Sequence, residues 1–148
     1  AQQSNEQELF LVAEKAFEDG FYDVAIRYID QLMKQFPQTD KRVQAQILLG
    51  QCYFFKNQYL KAYEVFQGLA GSNEYNDVVL FWLGEANLKG ADYIQADKQY
   101  NQLVSLYPDS AYVPQAYYSL GWSYFEQGKY AEAKATFLKL INQFLTSK

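Results

Sequence analysis

Hydrophobic residues recur along this chain at the spacing of amphipathic helices, in segments that come in pairs. Two such segments flank Gly128 near the C-terminus. The first has apolar or small residues at i, i+3, i+4 and i+7, namely Tyr117, Leu120, Gly121 and Tyr124. The second has Tyr130, Ala133, Phe137 and Leu140. The spacing predicts two helices of roughly 14 residues, joined by a tight turn into an antiparallel pair.

This pattern occurs four times. A small residue near the start of each copy serves as the reference position, which is Ala13, Gly50, Gly84 and Gly121. Position +9 is always tyrosine: Tyr22, Tyr59, Tyr93 and Tyr130. Position +12 is always alanine: Ala25, Ala62, Ala96 and Ala133. Position +16 is always bulky: Ile29, Phe66, Tyr100 and Phe137. Such regularity predicts a repeat architecture.

The register resembles the tetratricopeptide repeat, a helix–turn–helix unit with a period of about 34 residues. The resemblance covers nearly the whole chain and implies an all-α fold, a right-handed α-solenoid of four antiparallel helix pairs. We expect a single array over residues 1–148, with repeats at about 6–40, 43–73, 77–109 and 112–145. Glycine at the reference and alanine at +12 are expected to let paired helices approach closely.

The junctions between repeats carry a second resemblance. Two copies end in an aromatic residue, a proline, one residue and then Thr39 or Ser110, each able to cap the next helix. Pro114 fits the first turn of that helix. The pattern is similar to repeats of bacterial envelope proteins, such as the periplasmic coordinator of the Tol–Pal system and the outer-membrane assembly lipoprotein BamD. The second copy instead ends near residues 71–73, and Gly68 is expected inside its second helix.

The two ends of the sequence also bear on the interpretation. The chain begins AQQSNEQ without an initiating methionine, so we expect a processed protein or an excised piece. The last pair leaves one hydrophobic face for which no further helix follows in the sequence, and solenoid ends usually need a cap. Either the protein continues beyond Lys148, or this face packs on something, for which a second copy of the chain is one candidate.

Composition argues against catalysis and against nucleic acid. The net charge is −4 and the pI is about 4.8, so phosphate backbones and anionic membranes are not attracted. No apolar run is long enough to span a bilayer. There is no histidine, and Cys52 is the single cysteine, so we expect no catalytic, cofactor-binding or metal-binding residues and no enzymatic activity. The spacing of Gly121 and Gly128 differs from that of a phosphate loop, so Gly128 is interpreted as a turn residue.

A second face of the first helices is unusually aromatic. It consists of positions −3, +1, +4 and +5, about 130° from the core stripe. In tetratricopeptide repeats this side lines a concave groove that binds peptides, which implies partner binding here. The candidate binding residues are Phe10, Phe17, Phe54, Phe55, Phe81, Trp82, Tyr118, Trp122 and Phe125. The alternative is that most of them pack between adjacent first helices. For Phe55, Trp122 and Trp82 both interpretations stay open.

We therefore predict a protein–protein interaction scaffold that binds an apolar or weakly basic partner segment in an aromatic groove, within a bacterial cell-envelope assembly. Glu14, Gln51, Glu85 and Trp122 occupy position +1, so an acidic tail would be repelled. A periplasmic or outer-membrane-associated location is expected, with the cytoplasm as the alternative. The functional alternatives are a self-associating structural module, which would be a homo-oligomer, and an accessory domain of a longer protein.

Overall fold

A computed structural model describes residues 2–71 and 74–145 of the chain. In these residues it contains eight α-helices and no strand. The helices are α1 (Gln2–Glu18), α2 (Tyr22–Gln35), α3 (Arg42–Phe55), α4 (Tyr59–Gln67), α5 (Asn76–Lys89), α6 (Tyr93–Leu106), α7 (Val113–Glu126) and α8 (Tyr130–Leu140). A π-helical segment, Ile141–Leu145, follows α8. The all-α class and the four tetratricopeptide-type helix pairs are confirmed, and five of the helices have the predicted 14 residues.

The chain divides into two compact units, Ala1–Leu69 and Ala70–Lys148. The first unit holds α1 to α4 and the second holds α5 to α8. Within each unit the two helices of a pair pack on each other, and the second helix of the first pair packs on the first helix of the next. The expectation of one continuous array, with its repeat limits, stays a prediction, and its boundary residues Ser72 and Asn73 lie outside the described residues.

Each unit has its own hydrophobic core. In the first unit α1, α2 and α3 contribute a buried cluster that contains Phe10, Ala13, Ile29 and Leu48. In the second unit α5 to α8 contribute a larger cluster that contains Phe81, Tyr100, Leu103, Ala116 and Leu120. Amphipathic helices acquire most of their stability from such tertiary packing, so each pair depends on its neighbour in the unit.

The reference glycines make room for aromatic rings. A Cβ built on Gly84 would lie 2.5 Å from Cε1 of Tyr100, and one on Gly50 would lie 2.5 Å from Cζ of Phe66. The residue that faces the glycine is therefore the ring at +16. The alanine at +12 is buried in every pair, at Ala25, Ala62, Ala96 and Ala133. Only in the first pair is the reference an alanine, Ala13, and there the +16 residue is the smaller Ile29, with both side chains buried.

The turns inside the four pairs share one conformation. Position +7 has a positive φ in every pair, at Gly20, Asn57, Ala91 and Gly128. The interpretation of Gly128 as a turn residue is therefore confirmed. Alanine is strained in this left-handed region, because its Cβ approaches the following carbonyl oxygen. Ala91 thus occupies a position that glycine or asparagine suits better.

The helix ends correct two details of the sequence analysis and confirm a third. Thr39 and Ser110 do not cap their helices: each hydroxyl accepts a hydrogen bond from the backbone N–H two residues later, before the helix begins. Gly68 is not inside α4 but is its C-terminal capping residue. Pro114 does lie in the first turn of α7, as predicted.

Candidate partner-binding surface

Three of the predicted binding residues come together on the fourth helix pair. Tyr118, Trp122 and Phe125 lie at i, i+4 and i+7 of α7, which places them along one stripe of that helix. Their side chains are 54%, 40% and 46% exposed. Two residues of α8 join them, the exposed Tyr130 and the half-buried Phe137. We call these five residues the C-terminal aromatic surface.

Trp122 lies at the centre of this surface. Its ring centroid is 5.4 Å from that of Phe137, 5.5 Å from that of Phe125 and 6.2 Å from that of Tyr118. All three contacts are edge-to-face, the arrangement that aromatic quadrupoles prefer. Phe125 in turn contacts Tyr130, with 5.1 Å between the centroids. The rings hold one another in place, so the surface is preorganised although it is accessible to solvent.

The sequence determines this surface through the glycine of the same pair. Gly121 lies beside the ring of Phe137, which would collide with any side chain at that position. Phe137 therefore lies close to α7 and reaches Trp122, the next residue along the helix. On the opposite side of α7, Ala116, Leu120 and Ser123 are buried. The helix thus separates a core face from an aromatic face.

The same positions look different in the third pair. Phe81, which corresponds to Tyr118, is only 5% exposed and its ring lies 5.1 Å from that of Tyr112. Trp82 is half-buried and packs edge-on against Phe81. Glu85, which corresponds to Trp122, accepts hydrogen bonds from the hydroxyls of Tyr100, at 2.7 Å, and of Ser119, at 2.6 Å. Here α7 and the turn before it cover the face.

The predicted binding residues of the first unit form a smaller group. Phe10 and Phe54 are buried, and Phe17 is half-buried. Phe55 is 45% exposed and stacks on Tyr22, with 5.8 Å between ring centroids. Its ring also lies 5.9 Å from that of Phe17. Burial favours the packing interpretation for Phe10, Phe54 and Phe81, whereas Phe55 remains partly accessible to solvent.

The structure adds two residues that sequence reasoning did not assign to the binding face. Tyr130 and Phe137 occupy positions +9 and +16, which we interpreted as core because they recur in every copy. The counterpart of Phe137 in the third pair, Tyr100, is indeed fully buried. The sequence contained a signal for Phe137. The residue at +1 contacts the residue at +16 in both pairs. Position +1 changes from Glu85 in the third pair to Trp122 in the fourth, so the fourth pair brings two aromatic residues together.

A polar network joins the third and fourth pairs beneath the aromatic surface. Asp97 accepts hydrogen bonds from the Ser123 hydroxyl, at 2.6 Å, and from the Gln127 amide, at 2.8 Å. Burial and the neighbouring Glu85 carboxylate raise the pKa of Tyr100 far above its ordinary value. Tyr100 is therefore a neutral hydrogen-bond donor at every physiological pH. The network fixes α7 on its neighbours and positions the surface that it carries.

The described residues were also searched for a reactive cysteine, a metal site and a membrane span. Cys52 is buried, and burial raises its pKa to about 12, so the thiolate needed for nucleophilic attack is scarce. Within residues 2–71 and 74–145 no cluster of three potential ligands could hold a metal ion. In the same part of the chain no helix combines the length and apolar character needed to cross a bilayer.

Comparison with known proteins gives two family matches. The model of the YfiO family, described as outer membrane lipoprotein, matches residues 73–148, just over half of the chain. A tetratricopeptide repeat model matches residues 13–77. Among curated proteins no sequence matches significantly.

Several solved structures share the fold at low sequence identity. A MamA structure from Desulfovibrio magneticus RS-1 aligns with a TM-score of 0.83 at 17% identity, covering 97% of this chain and 77% of that chain. A tetratricopeptide repeat protein from Parabacteroides merdae aligns with a TM-score of 0.81 at 17% identity, covering 97% of this chain and 55% of that chain. The apo form of RapI aligns with a TM-score of 0.83 at 13% identity, covering 93% of this chain and 55% of that chain. With the family matches, these similarities show that the chain has the tetratricopeptide fold and belongs to the YfiO outer membrane lipoprotein family.

Proposed function

We propose that this protein is a protein-interaction scaffold of the bacterial cell envelope and that it binds its partner through the C-terminal aromatic surface. The observation that supports this most directly is the exposure of Tyr118, Trp122 and Phe125 as one connected cluster. Soluble proteins rarely expose large connected apolar patches without a role. Tryptophan and tyrosine are also the residue types most enriched among binding hot spots.

The chemistry of the surface favours an apolar partner segment. The five rings supply apolar area at a low entropic cost, since their mutual contacts already restrict them. The protein carries a net charge of −4, which disfavours an acidic partner and suits an apolar or weakly basic one. Phe55 in the first unit is a second, smaller candidate contact.

The proposed location rests on the family match. The YfiO model covers residues 73–148, the part of the chain that carries the aromatic surface. An outer-membrane-associated or periplasmic protein should be recovered with the envelope when cells that produce it are fractionated. Recovery in the cytoplasmic fraction, with markers of both compartments correctly distributed, would refute the proposed location.

The binding role is tested by truncating the exposed rings. Trp122→Ala and the double variant Trp122→Ala with Phe55→Ala should lose capture of the envelope partner by the immobilised protein. Ile94→Ala is a matched control, because Ile94 is a large exposed side chain on α6, outside the aromatic surface. Unchanged helical circular dichroism shows that each variant is folded. If the Trp122 variants retain the partner as well as the control does, the aromatic surface is not the binding site.

A further inference from the structure

We propose that a groove between helices α2 and α3 of the first unit binds a helical peptide segment that carries apolar side chains and an acidic residue. Residues of both helices line a cavity of about 470 Å³ in this groove. The groove consists of other residues than the C-terminal aromatic surface, so the inference goes beyond the proposed function.

The floor of the groove is apolar. Ile26, Ile29 and Met33 of α2 line it at i, i+3 and i+7, and Leu49 of α3 completes the floor. Ile29 is buried, whereas the other three are half-buried and therefore partly accessible inside the cavity. The lining of α2 extends from Asp23 to Met33, a rise of about 15 Å or three helical turns. An open groove of this length suits a helical segment better than a small molecule, because small-molecule pockets enclose most of their ligand.

The equivalent groove of the second unit is filled by the protein's own side chains. Position −4 of α7 is Tyr117, only 8% exposed, where α3 has the smaller, half-buried Gln46. The ring centroid of Phe144 lies 6.1 Å from that of Tyr117. The Nζ atom of Lys139 lies 5.5 Å from the same ring centroid, so the end of α8 and the π-helical segment cover this position. This contact within the chain shows that an apolar segment with an aromatic residue fits such a groove.

A second difference lies in the middle of the two grooves. Position +13 of the third pair is Asp97, which accepts a hydrogen bond from the Ser123 hydroxyl of α7. In the first pair this position is Ile26, whose side chain can form no such bridge. The polar contact between α2 and the end of α3 is instead an ion pair of Asp23 with Lys56, at one end of the groove. The middle of the groove in the first unit therefore stays apolar and uncovered.

Arg27 supplies an available positive charge at the rim of the groove. Its neighbours on α2 are already paired, Asp23 with Lys56 and Asp30 with Lys34. Among the described residues the Arg27 guanidinium has neither an ion pair nor a hydrogen bond. From the start of α2 to the end of α4 the chain has six lysines and arginines against four aspartates and glutamates, a net charge of +2, although the whole chain has −4. This local excess favours an acidic residue in the partner, and a guanidinium can hold a carboxylate through two parallel hydrogen bonds.

The experiment is a selection from a random peptide library displayed on phage. The immobilised chain carries Trp122→Ala, so that the C-terminal aromatic surface does not dominate the selection. Enriched sequences should combine apolar residues at helical spacing with aspartate or glutamate. Labelled synthetic copies are then titrated with the wild-type chain and followed by fluorescence anisotropy. Their affinity should fall as ionic strength rises, because salt screens the charge of Arg27.

Two substitutions test the groove itself. Arg27→Glu should weaken peptide binding at least about tenfold, since it places a third carboxylate beside Asp23 and Asp30. Gln46→Tyr should weaken it as strongly, because it introduces the ring that fills the equivalent position of the second unit. Lys98→Glu is the matched control and should bind the peptides normally, since Lys98 is the exposed residue at position +14 of the third pair, as Arg27 is of the first. Circular dichroism verifies that each variant is folded.

A library that yields no enriched peptide, or only basic ones, would overturn the proposal. So would peptides that bind Arg27→Glu and Gln46→Tyr as tightly as they bind the wild type. If the wild-type chain associates with itself in sedimentation and Arg27→Glu does not, the groove binds a second copy and the proposal is wrong. None of these results bears on the proposed function, because capture of the envelope partner through Trp122 is measured separately.

Discussion

The third and fourth helix pairs use the same register for opposite purposes. In the third pair position −3 is Phe81, a buried ring under Tyr112. In the fourth pair position −3 is Tyr118, more than half exposed. Position +1 is Glu85 in one and Trp122 in the other, the first engaged by two hydroxyls and the second surrounded by rings. One backbone arrangement thus yields an internal interface and an external surface.

The difference shows what fixes the role of a repeat position. The backbone register decides which side chains point toward the next helix pair, and the presence of that pair decides whether they become core. Phe81 contributes to folding because α7 covers it, whereas Tyr118 remains more than half exposed. A residue's role in a repeat protein therefore follows from its neighbour as much as from its own identity.

The largest contrast is expected from truncating the ring at position −3 in each pair. Phe81→Ala should lower the free energy of unfolding by about 3 to 4 kcal/mol, since it removes a buried ring and leaves a cavity. Tyr118→Ala should cost less than about 1 kcal/mol, because most of the side chain is already in water. Urea denaturation followed by circular dichroism measures both. Equal losses would mean that the two faces are equally covered in solution.

Much of the fold could be predicted from the sequence alone. The small–tyrosine–alanine–bulky register located all eight helices, because each position recurs with a 3.6-residue periodicity within a copy. The turns followed from the break at +7, even where the residue is Ala91 and not glycine. These features are local, because they depend on residues that are close together in the sequence.

The candidate site could be predicted only in part. The pattern placed Tyr118, Trp122 and Phe125 on one stripe, but it could not separate them from Phe10 and Phe81, which have the same register and are buried. Exposure depends on contacts between pairs that are distant in sequence. The pairing of the reference glycine with the +16 ring was missed for the same reason, since periodicity gives the face of a residue and not its partner.

Adding a methyl group beside the +16 ring tests the packing inside the third pair. Gly84→Ala should lower stability by about 2 kcal/mol, because its Cβ would lie 2.5 Å from the Tyr100 ring and the side chain must shift. Gly90→Ala adds the same atom at the C-terminal capping residue of the same helix, where the nearest atom is 3.4 Å away. Thermal unfolding compares the two. A Gly84→Ala protein as stable as Gly90→Ala would refute the tight contact.

Removing the hydroxyl that joins the two pairs should have a smaller effect. Ser119→Ala deletes the donor that lies 2.6 Å from Glu85 and leaves the carboxylate with Tyr100. The expected loss is about 1 kcal/mol, the net worth of a typical hydrogen bond. Ser105→Ala, at an exposed serine of α6, should change the free energy of unfolding by only a few tenths of about 1 kcal/mol. If both substitutions behave alike in chemical denaturation, the network does not stabilise the contact between the pairs.

The turns of the two pairs allow the finest comparison, because the same backbone conformation is occupied by different residues. Ala91 has a φ of 63° and Gly128 a φ of 77°. Ala91→Gly should raise stability by about 0.5 to 1 kcal/mol, since it relieves left-handed strain that an L-residue with a Cβ experiences. Gly128→Ala should lower it by a similar amount, for the same reason in reverse. Opposite shifts in melting temperature would establish that the turn of the third pair carries strain that the turn of the fourth avoids. Shifts of the same sign would show that the residue at +7 affects stability through something other than its φ angle.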